Sequence, residues 1–134
     1  MQTGSSDCEP QARRVSDGDW TPPEFMRGGV ESEEVEFFVE LIVSFRIETA
    51  RYLRRLELAL AHSDRPTARA TAHCIKGGAR QMGATALASL CSEIELAAEV
   101  EPAEALENLA GRLEGVFLDA CEAMVEYSLM LPRN

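Results

Sequence analysis

The stretch PTARATAHCIKGGARQMG, residues 66–83, repeats its small and apolar positions with the period of an α-helix. These positions are Ala68, Thr71, Ala72, Ile75, Ala79 and Met82. Since an α-helix advances by about 100° per residue, they form one stripe that a neighbouring element must cover. Pro66 suits the first turn of such a helix, and Gly83 suits the position just after its end. The stretch therefore predicts an amphipathic helix with one buried face.

Three more segments show the same period, which indicates an all-α chain. A long helix is predicted over about 32–62, a shorter one over about 85–99 and a last one over about 102–131. No segment has the alternating pattern of a β-strand, and no internal repeat is evident. Four amphipathic helices with short connections are best satisfied by an antiparallel four-helix bundle. We expect a monomer, because every long apolar stripe has a partner within the chain.

The N-terminal end differs in composition from the rest of the chain. Residues 1–19 are polar and predict a mobile tail, which leaves 20–134 as a single bundle domain. Thr21 and Glu24 fit the capping box of a short helix before the bundle, with Trp20 and Phe25 as its anchors. A chain of 134 residues suits one such domain with a single core.

The overall charge and hydropathy exclude several classes of protein. A net charge of −10 argues against a general nucleic-acid binder, because phosphate backbones attract basic surfaces. No apolar run reaches the roughly 18 residues of a transmembrane helix, and the first residues lack the apolar core of a signal peptide. We therefore expect a cytoplasmic protein with neither nucleic acid nor membrane as a partner.

The cysteines do not predict a metal site. They are Cys8, Cys74, Cys91 and Cys121. No two have CxxC spacing, and His62 and His73 are the only histidines that could join them. His73 and Cys74 point about 100° apart on a helix, so they cannot share one ion. We expect Cys91 and Cys121 to be small core residues, and Cys74 to lie mainly against the bundle with Ile75.

The exposed side of the helix at 66–83 is basic. Ile75 lies about 160° from His73, so the histidine points away from the core. The residues that share its strip are Arg69, His73, Lys76, Gly77 and Arg80. Between Arg65 and Ser92 there is no Asp or Glu, although the chain is strongly acidic overall.

This strip has the composition of a site for a small anion beside a nucleophilic imidazole. A neutral imidazole can act as a nucleophile, and Lys76 and Arg80 can neutralise phosphoryl oxygens. Gly77 lies one turn beyond His73 and removes a side chain that would crowd the ring. The alternative interpretation is a structural or adaptor bundle in which His73 and the basic strip are only a solvated surface.

Residues 72–79, AHCIKGGA, followed by MGA at 82–84, resemble the signature of histidine-containing phosphotransfer (Hpt) domains. That signature reads loosely Ala-His-x-Leu-Lys-Gly, then small residues, then an apolar residue followed by Gly-Ala. Ile75 replaces the leucine conservatively. The resemblance extends over roughly residues 33–130. The family often has Ser or Ala at the position of Gly78, and small residues at those of Arg80 and Gln81.

The resemblance implies a carrier in a phosphorelay. His73 would accept a phosphoryl group from the phospho-aspartate of a receiver domain and pass it to the aspartate of another receiver. Lys76 would pair with the phosphoryl oxygens, Gly77 would leave room for the receiver, and Gln81 would hydrogen-bond near the site. Arg80 would strengthen phosphate binding or narrow the choice of receiver. The partners implied are receiver domains of a response regulator, a hybrid histidine kinase or both.

The same resemblance implies a protein without kinase activity of its own. Magnesium and the reacting carboxylate belong to the receiver, so the carrier needs no cofactor. The chain has no Gly-rich ATP-binding loop and should not phosphorylate itself. The dimerisation domain of a sensor kinase also exposes a histidine, but it would need a His-Glu box with a proline soon after it and an ATP-binding domain.

Overall fold

The computed structural model describes residues 20–23 and 32–131 of the chain. Five α-helices make up nearly all of the second range. They are α1 (Ser32–Ala61), α2 (Arg65–Met82), α3 (Thr85–Val100), α4 (Ala103–Ala110) and α5 (Leu113–Met130). No β-strand occurs among these residues, which confirms the all-α class. The tail predicted at 1–19 lies outside them. So does most of the short helix predicted after Thr21, of which Pro22 and Pro23 are described and are not helical.

Both ends of α2 are fixed by the residues that flank it. The Asp64 side chain accepts a hydrogen bond from the backbone N–H of Thr67 at 3.2 Å, and Pro66 lies in the first turn. Gly83 follows the helix with a left-handed φ of 79°, and its backbone N–H bonds to carbonyls of the last turn. All six small and apolar positions predicted to be buried on this helix are buried.

The helices pack as the predicted antiparallel bundle. Helix α2 lies between α1 and α3, α1 also packs on α5, and α3 packs on α4 and α5. The short connections make consecutive long helices antiparallel. The largest fully buried side chains are Phe38, Leu56, Ile75, Leu87, Ile94, Leu106, Leu113 and Met124. Burial of each such side chain contributes about 1.5–3 kcal/mol to the free energy of unfolding. None of the described helices is long and apolar enough to span a membrane.

The fourth member of the bundle is interrupted, whereas the sequence predicted one continuous helix. Helix α4 ends at Ala110, and α5 begins at Leu113. Between them the Gly111 N–H bonds to the Glu107 carbonyl at 2.9 Å, and the Arg112 N–H bonds three residues back at 3.1 Å. The backbone thus makes one tighter turn, with a hydrogen bond to the residue three positions back, between the two helices. Glycine favours such a break, because it is about 1 kcal/mol less favourable than alanine inside a helix.

The cysteines divide between the core and the surface. Cys91 and Cys121 are buried as predicted, and burial raises the pKa of their thiols to about 12 and about 11, which keeps both protonated at neutral pH. Cys74 is exposed, although the sequence placed it mainly against the bundle. Helices α1 and α3 cover the flanks of α2 and leave the arc from His73 to Cys74 open.

A segment before α1 is anchored on the end of the bundle. The Trp20 ring is buried, and its Nε1 donates a hydrogen bond to the Met82 carbonyl at 2.7 Å. The Thr21 N–H bonds to the Gly83 carbonyl at 2.9 Å. The Trp20 ring also meets Tyr127 edge-on, with 5.3 Å between the ring centroids. Trp20 thus packs on the bundle as predicted, whereas Phe25, the other predicted anchor, lies outside the described residues.

Candidate functional site

His73 lies on α2 with 70% of its side chain exposed, and its ring turns toward α3. Its Nδ1 is 3.0 Å from Oε2 of Glu95. A carboxylate only accepts hydrogen bonds, so a neutral His73 carries its proton on Nδ1 and donates a hydrogen bond from that N–H to Glu95. The lone pair then remains on Nε2, the ring nitrogen farther from the backbone. The contact leaves this nitrogen free to act as a nucleophile.

Glu95 also holds Lys76. Its Oε1 is buried and lies 2.5 Å from the Lys76 Nζ, and the two side chains are only 16% and 15% exposed. Burial alone would raise the pKa of Glu95, but the hydrogen bonds and charges of Lys76 and His73 outweigh it and hold the pKa below its ordinary value. Glu95 is therefore an anion at neutral pH and bridges the cation and the imidazole.

The position of Lys76 differs from the sequence-based expectation of a solvent-facing residue. It stands about 60° from His73 on the side of α2 that α3 covers. Its long chain is covered there and delivers the ammonium group to Glu95. Lys76 is thus part of the network behind the imidazole, with little of its surface open to solvent.

The other predicted cations of α2 lie on either side of this centre. Arg69 pairs with Glu99 of α3 through a 2.9 Å contact from Nε to Oε2, and both side chains are about half exposed, so the pair contributes little to stability. Arg80 is exposed in the last turn, and no carboxylate of the described residues pairs with it. Gln81 is also exposed there.

The two central glycines of α2 face different surroundings, and Gly77 lies on the open side of the helix as its place on the His73 strip predicts. A Cβ built on Gly77 would meet no atom within 4 Å, so the surface one turn beyond His73 is open. A Cβ on Gly78 would lie 3.8 Å from the Phe45 ring, on the side that packs against α1. Gly77 therefore faces open space, and Gly78 faces α1, where a Cβ would make an ordinary van der Waals contact.

The acidic partners on α3 are the part of the site that the sequence interpretation missed. Helix α2 has no carboxylate of its own, and Glu95 and Glu99 of α3 supply the two that pair with its side chains. The sequence did contain a signal for this pairing, because α2 and α3 run antiparallel on either side of the turn at Ala84. His73 and Glu95 are equally far from that residue along the chain, and so are Arg69 and Glu99.

The described residues hold no group of three or more side chains arranged to bind a metal ion. The chemistry that the site offers is that of an exposed imidazole with one nitrogen fixed by an anion. Around it are an open approach at Gly77 and an exposed guanidinium at Arg80.

Comparisons with known proteins identify relatives of this arrangement. A family model described as the Hpt domain matches residues 40–127, well over half of the chain, and includes both His73 and Glu95. Among solved structures, the chain is similar to histidine-containing phosphotransfer protein B (HptB) from Pseudomonas aeruginosa PAO1. The sequences are 30% identical, the TM-score is 0.65, and the match covers 74% of this chain and 85% of that one. A search of curated proteins found no match.

Proposed function

Since this chain belongs to the histidine-containing phosphotransfer (Hpt) family and is a histidine carrier of phosphorelays, we propose that His73 is the residue that bears the phosphoryl group. The observation that carries the proposal is the exposed imidazole whose Nδ1 is held by the charged, largely buried Glu95. The other histidine, His62, instead bonds through Nδ1 to the backbone carbonyl of Leu58 at the end of α1. Among the residues that the structure describes, His73 is thus the one histidine with a carboxylate at Nδ1.

The partners are receiver domains of a response regulator, a hybrid histidine kinase or both, since Hpt proteins interact with receivers. In the first transfer, the Nε2 lone pair of His73 attacks phosphorus of the receiver's aspartyl phosphate. The N–P bond forms, the P–O bond to aspartate breaks, and the carboxylate leaves with the electron pair. In the second transfer, an aspartate of another receiver attacks phosphorus and the N–P bond breaks. No proton needs to leave the ring in either step.

Glu95 suits this chemistry because the ring becomes positively charged when Nε2 bonds to phosphorus while Nδ1 keeps its proton. The carboxylate 3.0 Å away stabilises that charge without moving. Lys76 keeps Glu95 ionised, and an ammonium group has three N–H donors, so it can also donate to a phosphoryl oxygen. Arg69 is engaged by Glu99, which leaves Arg80 as the cation of α2 best able to turn toward a phosphoryl group or an acidic receiver surface.

The protein acts as a carrier and does not phosphorylate itself. Hpt family proteins are phosphotransfer carriers rather than kinases. The phosphoryl group therefore comes from the receiver, and the contribution of this chain is to align the nucleophile and neutralise charge. The open surface at Gly77 lets a receiver approach the ring, and Gln81 lies on the same exposed side of α2.

The direct test is to incubate the protein with phosphorylated receivers and to locate the modification by mass spectrometry. We expect one acid-labile, alkali-stable phosphate on His73 and none on His62. The label should leave when a second, unphosphorylated receiver is added. A label on His62 or on a carboxylate, or no label from any of a broad panel of receivers, would contradict the proposal.

Glu95→Gln is expected to slow phosphoryl transfer by about 100-fold or more, because the carboxylate that fixes the proton on Nδ1 is lost. The glutamine amide can donate to Nδ1, which favours the tautomer with the proton on Nε2 and blocks the nucleophile. Rapid-quench kinetics would measure the rate, and ¹⁵N chemical shifts of the His73 ring would report the tautomer. Glu99→Gln is the matched control, since it loses only an exposed ion pair. Equal rates in the two variants would exclude this role for Glu95.

A further inference from the structure

Helix α1 carries a second stripe on the face that points away from the core. Its members are Glu36, Glu40, Val43, Ile47, Ala50 and Arg54, and all of them are exposed. Their spacing alternates between four and three residues, which is the pattern of a coiled-coil seam. Val43 and Ile47 are 51% and 50% exposed, although they are large and apolar. The expectation of a monomer assumed that every long apolar stripe has a partner within the chain, and this stripe is left uncovered by the described helices.

The charges of the stripe are ordered along the helix. The two glutamates come first, the apolar residues lie in the middle, and Arg54 comes last. In an antiparallel pair of α1 helices with its two-fold axis near residue 45, Glu36 of each copy faces Arg54 of the other. Val43 then faces Ile47. In a parallel pair the like charges would face each other, which is unfavourable, so the sequence selects the antiparallel arrangement.

A groove beside the stripe extends the surface that a second helix would cover. It has a volume of about 650 Å³ and runs between α1 and the start of α5. Val43 and Ile47 line one side, and Gly111 and the half-exposed Leu118 line the other. A helix laid on the stripe would therefore remove apolar surface of both α1 and α5 from water.

We propose that this face of α1 binds a second copy of the chain and forms an antiparallel, two-fold symmetric dimer. Such an interface uses the same patch on both copies, as a closed pair requires. The Phe45 ring faces α2, because a Cβ built on Gly78 would lie 3.8 Å from it. Phe45 points about 160° away from Val43, so the dimer face lies on the far side of α1 from α2. His73 therefore stays accessible in both copies, and the dimer does not depend on the phosphoryl chemistry.

The test is the mass of the full chain in solution as a function of concentration. A single helix pair buries less than the roughly 1,600 Å² of a standard interface, so we expect a weak, reversible dimer. Sedimentation analysis should show the mass rising from 14.7 kDa toward twice that value as the concentration approaches about 1 mM. Ile47→Glu should keep the chain at the lower mass. Leu96→Glu is the matched control, because Leu96 is an exposed apolar residue of α3 away from this face, and it should dimerise like the wild type.

The register is tested by reversing charges. Glu36→Arg alone and Arg54→Glu alone should each weaken the dimer at least about tenfold, because like charges then meet at both ends. The double reversal should restore the wild-type dissociation constant. The two positions are roughly 27 Å apart in one helix, so they cannot compensate each other within a chain. Circular dichroism would verify that each variant is folded.

Three results would overturn the proposal. The first is a constant mass of 14.7 kDa over the whole concentration range. This result would overturn the dimer even if a different protein were found to bind the same face. The second is a dimer that Ile47→Glu leaves intact. The third is a double charge reversal that fails to restore binding, which would exclude the antiparallel pairing.

Discussion

His73→Gln is expected to abolish phosphoryl uptake while leaving the fold intact. An amide nitrogen has no available lone pair to attack phosphorus, so uptake from a phosphorylated receiver should fall to background. The side chain is largely exposed, and a glutamine can still donate a hydrogen bond to Glu95. The free energy of unfolding should therefore change by no more than about 0.5 kcal/mol. Uptake would be measured as bound phosphate per chain, and folding as the far-ultraviolet circular dichroism spectrum and the melting temperature.

His62→Gln is the matched control for this substitution, because it removes the other histidine of the chain. In the described part of the chain its ring bonds to a backbone carbonyl at the exposed end of α1, so uptake should match the wild type. Labelling that persists in the His73 variant, or that disappears in the His62 variant, would assign the phosphoryl group to another residue.

Gly83→Ala is expected to lower the free energy of unfolding by about 2–4 kcal/mol and the melting temperature by about 10 °C. Its φ of 79° is left-handed, a conformation that costs other residues about 1–2 kcal/mol. A Cβ there would also lie 1.9 Å from the Thr21 carbonyl oxygen, so the segment before α1 must move. That movement breaks the hydrogen bonds of Trp20 and Thr21 to the end of α2, each of which contributes about 0.5–1.5 kcal/mol.

Gly78→Ala provides a control of opposite sign. A Cβ at this position makes an ordinary contact with Phe45 at 3.8 Å, and alanine is favoured over glycine inside a helix by about 0.5–1 kcal/mol. The variant should therefore be slightly more stable than the wild type. Urea denaturation of the two variants would compare them directly. A Gly83 variant as stable as the Gly78 variant would show that the end of α2 tolerates a side chain.

The sequence predicts the helices of this protein well, because burial depends on a period that can be counted. All six buried positions of α2 follow from spacing alone, and so do the limits of α1 to within about two residues. The interruption at Gly111 and Arg112 could not be predicted, because the prediction depends on the period of the apolar positions alone. The apolar stripe continues in phase through those residues, so its period carries no sign that the backbone tightens there.

Only part of the candidate site could be predicted from the sequence. His73 and the open surface at Gly77 follow from the geometry of a single helix, which periodicity describes. Glu95 and the burial of Lys76 depend instead on the register between two helices, and a pattern read along one helix does not contain that information. Counting outward from the turn at Ala84 would have paired His73 with Glu95 before any coordinates were known.

The anchored tryptophan has a consequence for where this folding unit begins. The family match starts at residue 40, and the first helix starts at Ser32, yet Trp20 fills the end of the bundle. A fragment trimmed to either boundary would lose the ring contacts of Trp20 with Phe38 and Tyr127, and the hydrogen bonds that Trp20 and Thr21 donate to the carbonyls of Met82 and Gly83. The end of the bundle is therefore closed by residues that precede α1, and a fragment meant to keep these contacts has to include Trp20.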